Sequence, residues 1–220
     1  MAITAATPEY DKKEYWVNRF EHESSFEWLV DAKTLLPILE EHVPHDSKIV
    51  QLGCGNSSLA FDAFDAGYTD ILSLDYCENV IQRMVDETRR RYPVGDSGVP
   101  AGPRWRVMDI LAMQDHLAPG SIDCAVDKCT MDAIACGDDA QATRINALER
   151  QVHRILKPGS HWFVLSYSST RFDEFAPEAK DRWDKIIVPI EVSPSDAVST
   201  SAGPVYQPAI YYYCYILRKL

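Results

Sequence analysis

From Lys48 onward the chain alternates short apolar runs with longer stretches of helical periodicity, and this alternation restricts its fold more than any other feature. The short runs are Ile49–Leu52, Ile71–Leu74, Trp105–Met108, Ile122–Val126 and His161–Leu165. Strands separated by helices build βαβ units and a parallel sheet. Before the fifth run, Ile145, Leu148, Val152, Ile155 and Leu156 form one apolar stripe that Lys157-Pro158-Gly159 ends, which predicts a crossover helix with a sharp stop. Further on, Ile186–Val192 and Tyr211–Leu217 are strand-like and joined by a loop rich in Ser, Pro and Gly. With no helix between them they predict an antiparallel pair. Ahead of the sheet, Ser24–Glu41 carries Trp28, Leu29, Ala32, Leu36 and Leu39 at helical spacing.

A chain of 220 residues with 46% hydrophobic composition can bury one large core. We therefore expect a single domain over 1–220, with a mobile N-terminus at 1–12, a helical lid at 13–45 and the core at 46–220. The three prolines and three glycines between Tyr92 and Pro103 mark a surface loop. No apolar run approaches the roughly 20 residues that span a bilayer, so no membrane anchor is expected. Met1–Tyr10 lacks the basic start and apolar stretch of a secretory leader.

The six cysteines show neither C-x-x-C pairs nor histidines at zinc-ligand spacing. They read as free thiols in a reducing, cytoplasmic setting, with no metal site. A net charge of -11 opposes binding to a phosphate backbone, so nucleic acid is not an expected partner. The same charge suits a basic protein partner, or serves solubility alone. The chain is expected to be a monomer.

The sharpest local signal is Ile49-Val50-Gln51-Leu52-Gly53-Cys54-Gly55-Asn56-Ser57, an apolar strand entering a turn with Gly53 and Gly55 before a helix near Ser58. Glycines let the backbone turn tightly and approach a ligand. By itself the turn is also what a plain strand-to-helix connection uses. Asp75 ends the next run about 20 residues past Gly53, the spacing at which a Rossmann-like fold presents an acid to ribose hydroxyls. Alternatively it caps the following helix. Tyr76 could pack on a sugar or adenine. Asp109 ends the third run and could accept from an adenine amino group, or be a solvated loop acid; the backbone amide of Ile110 could reach the same base. The fourth run ends in Asp127-Lys128-Cys129-Thr130-Met131-Asp132, charges at the edge where open α/β sheets bind ligands. A simple Asp127 to Lys128 surface pair is the other reading. The expected fold is thus α/β, a Rossmann-like seven-stranded, mostly parallel sheet with helices on both faces and an antiparallel C-terminal strand pair.

The succession Tyr15-Trp16, Arg19-Phe20, Leu52-Gly53-Cys54-Gly55-Asn56-Ser57, Asp75-Tyr76, Met108-Asp109 and Asp127-Lys128 with Thr130 and Asp132 resembles the class I methyltransferase-like proteins related to elongation factor 1-alpha lysine methyltransferases. The resemblance runs from about Tyr15 to the last strand. It implies the cofactor S-adenosyl-L-methionine, with contacts from Trp16, Phe20, Trp28, Gly53, Asp75, Tyr76, Asp109, Ile110 and Lys128. It also implies an aromatic lid over the methionine end, where ring faces attract a sulfonium. Trp28 could instead staple the first helix. The chain departs from the general class at Gln51, where an acid is usual, although the family it resembles commonly lacks that acid too. It departs from the family at Cys129, where a glycine is usual.

A lysine acceptor must lose its proton before methylation, because its ordinary pKa is about 10.4. Asp127 or Asp132 could take up or relay that proton. A protein-lysine N-methyltransferase acting on a basic protein such as elongation factor 1-alpha is the first expectation. A methyltransferase for a small molecule uses the same crevice, with loops 168–185 and 193–209 deciding between the two. A catalytically silent homologue is a third reading, against which the intact glycines and acids stand. A dehydrogenase is a fourth, and lacks its third glycine because Ser58 occupies that place.

Overall fold

A computed structural model describes residues 8–92, 101–137, 140–192 and 209–220. Its elements in chain order are α1 (Lys13–His22), α2 (Ala32–Glu40), β1 (Lys48–Leu52), α3 (Leu59–Asp65), β2 (Asp70–Asp75), α4 (Glu78–Arg91), β3 (Arg104–Val107), β4 (Ile122–Lys128), α5 (Thr130–Ala135), α6 (Gln141–Ile155), β5 (Leu156–Ser166), a 3-10 turn (Arg171–Glu174), α7 (Pro177–Lys180), β6 (Trp183–Val192) and β7 (Ile210–Lys219). The strands form one seven-stranded sheet in the order β3-β2-β1-β4-β5-β7-β6. The first five pair in parallel, and β7 runs antiparallel to both β5 and β6. This is the expected α/β sheet.

Alternation along the strands divides the core into two layers. Val50, Leu52, Leu72, Leu74, Trp162 and Val164 face α5, α6 and α7, where Met131, Ile145, Leu148, Val152 and Ala179 meet them. Ile49, Ile71, Val126 and Phe163 face the opposite way, onto α2 and α3 through Leu35, Leu39, Leu59 and Ala63. A third cluster joins Phe20 of α1 to Phe61 of α3 and to Val80, Ile81 and Met84 of α4. Helices therefore cover both faces.

Three local expectations shift. The apolar spacing from Ser24 predicts one helix to Glu41, yet α2 begins only at Ala32, where Asp31 accepts from the Thr34 amide at 3.1 Å. Trp28 and Leu29 precede the helix in irregular backbone, and Leu29 sits at φ +62°. The stripe through Leu156 is broken at Ile155, because Leu156 already pairs with Ile122 as the first residue of β5. The third strand is offset by one residue, ending at Val107, while Met108 still donates its amide to Asp75 O at 2.8 Å. The expectations for residues 1–7, and most of those for the loops 92–103 and 193–209, fall outside the described residues.

Candidate functional site

The sheet order reverses between β1 and β4, the place where open α/β sheets leave a crevice at the carboxyl ends of their strands. Leaving β1, the chain takes Gly53 at φ +59° and Gly55 at φ +51°, a region glycine enters at no steric cost. Gly53 has a second reason to lack a side chain. A Cβ there would collide with the Thr130 side chain. That hydroxyl lies 2.8 Å from Leu52 O and 3.1 Å from Gly53 O, tying the start of α5 to the turn.

Asp75, at the end of β2, is 6% exposed. Its Oδ2 accepts from the Gly55 amide and its Oδ1 from the Cys77 amide, each at 2.9 Å. The acid thus holds the glycine turn and starts α4. Burial raises its pKa, and the two amides pull it back down. Asp109 is exposed and accepts from the Leu111 amide at 2.8 Å, with Ile110 buried beside it.

The acids after β4 behave differently from each other. Asp127 is fully buried and caps α5, accepting from the Thr130 amide at 2.8 Å and the Met131 amide at 3.2 Å. Burial, with the Asp132 charge adding to it, pushes its carboxyl up to about 7. Asp132 Oδ1 accepts from Ser166 Oγ at 2.5 Å and Arg171 Nε at 2.9 Å, and Oδ2 from the Tyr167 amide at 3.0 Å. Burial raises its pKa, opposed by Ser166 and Arg171. Between them, Lys128 Nζ pairs with Glu27 Oε2 at 2.8 Å, and Cys129 takes φ +68°. A left-handed residue here is the physical reason that glycine would suit this position.

The N-terminal segment closes the crevice from above. The Trp16 ring lies 5.7 Å from Phe20, 6.1 Å from Trp28 and 5.9 Å from Tyr10, and Trp16 Nε1 donates to Tyr10 O at 2.6 Å. The Arg19 guanidinium sits 4.7 Å from the Trp28 ring and 4.8 Å from Phe26. The Arg83 guanidinium of α4 donates to Phe20 O and Glu23 O, and Asn79 Nδ2 to Val17 O at 2.9 Å. A Cβ on Gly55 would lie 3.3 Å from Phe20 Cζ, so the lid rests directly on the turn.

Lid and strand ends enclose a cavity of about 260 Å³. Trp16, Phe20, Trp28, Gly53, Gly55, Asp75, Tyr76, Asp109, Ile110 and Lys128 all line it, as does Asp132. Asp127 is not among the lining residues, because its carboxylate points into α5. Tyr10, Phe26, Cys136, Arg144 and Tyr167 also line it, and the sequence did not single them out as site residues. Glu27 was missed as well. It lies between Phe26 and Trp28 in a stretch with helical spacing, where a charge reads as a solvent face.

The donor set suits a zwitterionic amino acid joined to a nucleoside. It offers acids for hydroxyls and amines, one buried ammonium for a carboxylate, and ring faces for a cation. Among the described residues no group of three or more His, Cys, Asp or Glu could hold a metal ion, and no helix is long and apolar enough to cross a membrane.

A family model described as a methyltransferase domain matches residues 45–188. Methyltransferase srdJ of Neurospora crassa is 32% identical over 99% of this chain and 88% of its own length. EEF1A lysine methyltransferase 4 of Bos taurus is 29% identical over 74% of this chain and 64% of its own length. The eEF1A lysine and N-terminal methyltransferase of Danio rerio is 28% identical over 77% of this chain, which spans only 23% of that protein. Among solved structures, N-methyltransferase NodS from Bradyrhizobium japonicum, in complex with S-adenosyl-L-homocysteine, shares the fold. It superposes with a TM-score of 0.60 over 97% of this chain and 99% of its own, at 12% identity.

Proposed function

The chain belongs to the methyltransferase-domain family, and from that premise we propose that it uses S-adenosylmethionine to methylate lysine on a basic protein such as elongation factor 1-alpha. The carrying observation is the cavity itself, which joins the glycine turn, Asp75, Lys128 and an aromatic lid in one enclosure. When bound, S-adenosylmethionine supplies a methyl group on a sulfonium. Asp75 would accept from ribose hydroxyls, and Asp109 and the Ile110 amide would meet the adenine edge. Trp16, Phe20 and Trp28 cover the reacting end, exclude water and offer ring faces to positive charge.

The lysine acceptor is favoured by the names of two relatives and by the net charge of -11. For its proton we assign Asp132, which lines the cavity and keeps a lone pair on Oδ2. Asp127 is committed to α5. We further propose that the enzyme works as a monomer in the cytoplasm, a setting that suits six unpaired cysteines.

A small-molecule acceptor is the second reading. It is favoured by the relative that aligns over 99% of this chain and bears no substrate in its name. Radiolabelled methyl transfer into a lysate, separated into protein and small-molecule fractions, decides between them. Label on a basic protein, retained as methyl-lysine after hydrolysis, supports the first reading, and label confined to small molecules removes it. Calorimetric titration with S-adenosylmethionine and NAD tests the cofactor, and tight binding of NAD alone would overturn it.

A further inference from the structure

Lys128 is a cation whose side chain is 3% exposed, at the end of a central strand and in the cavity wall. A charge so desolvated needs an opposite charge close by. That partner is Glu27, whose Oε2 lies 2.8 Å from Nζ and comes from the lid segment far earlier in the chain. Two further contacts fix the carboxylate. Ser57 Oγ donates to Oε2 at 2.9 Å and the Ser58 amide to Oε1 at 2.5 Å.

Glu27 does not line the cavity, so it touches a ligand only through what it holds. An ammonium has three donors, and Glu27 occupies one of them on Lys128. Around the same cavity Asp75, Asp109 and Asp132 repel a ligand carboxylate, and the other cation of the wall, Arg144, sits 3.5 Å from Asp11. We propose that Glu27 is a positioning residue for the cofactor: it anchors Lys128 so that its remaining donors face the carboxylate of the ligand's amino-acid end. This rests on the reading of the cavity as an S-adenosylmethionine site.

Calorimetry on the full chain with two ligands separates positioning from mere lid closure. S-adenosylhomocysteine carries the amino-acid end, and methylthioadenosine lacks it. Glu27→Gln removes the charge and keeps one acceptor oxygen, so it also gives up one of the two contacts from Ser57 and Ser58, a loss that both ligands would feel alike. It should weaken S-adenosylhomocysteine about tenfold or more and leave methylthioadenosine within about twofold. Lys128→Met should show the same ligand selectivity, and adding Glu27→Gln to it should cost less than about twofold more. Equal weakening of both ligands makes Glu27 a latch and overturns the proposal, as does no weakening at all. Thermal melting checks the fold of each variant. Should Glu27→Gln unfold, Lys128→Met carries the comparison, and equal loss of both ligands there is equally fatal. A wild-type chain that binds neither ligand defeats the cofactor reading itself, an outcome distinct from a normal wild type with an unselective variant.

Discussion

Gly53 shows how one position can be constrained twice. Its φ of +59° strains any side chain, and the space a Cβ needs is filled by Thr130. Gly53→Ala should therefore cost about 2–4 kcal/mol in urea unfolding and cut cofactor affinity together, since relaxing the clash moves Thr130 off Leu52 O. A stable variant with unaltered binding would show that the turn has slack the geometry does not reveal. Asp132 is constrained by partners rather than space. If it takes the lysine proton, kcat/KM must fall as pH drops through its pKa. Burial raises that pKa, so the fall should begin above the ordinary carboxylate range. Asp132→Asn should remove the part of the limb that Asp132 sets and leave a profile from about pH 5 to 9 that rises steadily toward the lysine's own pKa. Full turnover at every pH in the variant would remove Asp132 from proton transfer.

At the scale of elements, α1 is held to α4 by its backbone carbonyls, through Arg83 and Asn79, and it rests on the glycine turn through Phe20. Most of its contacts lie outside the two layers that flank the sheet. Arg83→Ala should accordingly lower cofactor affinity about tenfold and speed chymotryptic cleavage near Trp16 and Phe20, with little change in melting temperature. A large drop in melting temperature instead would make α1 part of the cooperative core.

What the sequence reveals about these elements depends on how local the determining contacts are. The strands β1, β2 and β4, the glycine turn and Asp75 are legible because alternation, a tight turn and a fixed spacing are all written within a few tens of residues. Asp127 is not, because a capping acid and a cavity acid share the same strand-end position and differ only in direction. Trp28 has helical spacing yet lies outside α2, since Asp31 sets the start of that helix and Glu27 is drawn to Ser57, Ser58 and Lys128. Glu27 itself is silent in sequence, because its partner on β4 lies far along the chain.

For the whole molecule the decisive quantity is charge. A net -11 on 220 residues gives an acidic field that would attract a basic protein acceptor before any specific contact forms. The cofactor instead meets a cavity under the N-terminal segment, where Lys128 is paired with Glu27 at short range. Salt should therefore act on the two ligands differently. The Debye length falls from about 10 Å at 0.1 M to about 3 Å at 1 M, which screens approach across the surface far more than contacts within the cavity. If the acceptor is a lysine on a basic protein, raising salt over that range should increase KM for the acceptor by about tenfold or more, mainly through slower association, and leave kcat nearly unchanged. The cofactor Kd, measured in the same buffers, should move by less than about twofold. A neutral small-molecule acceptor would leave both constants flat. Flat kinetics with an acceptor already identified as a basic protein would mean that local contacts at the cavity mouth, rather than the acidic field, select the client.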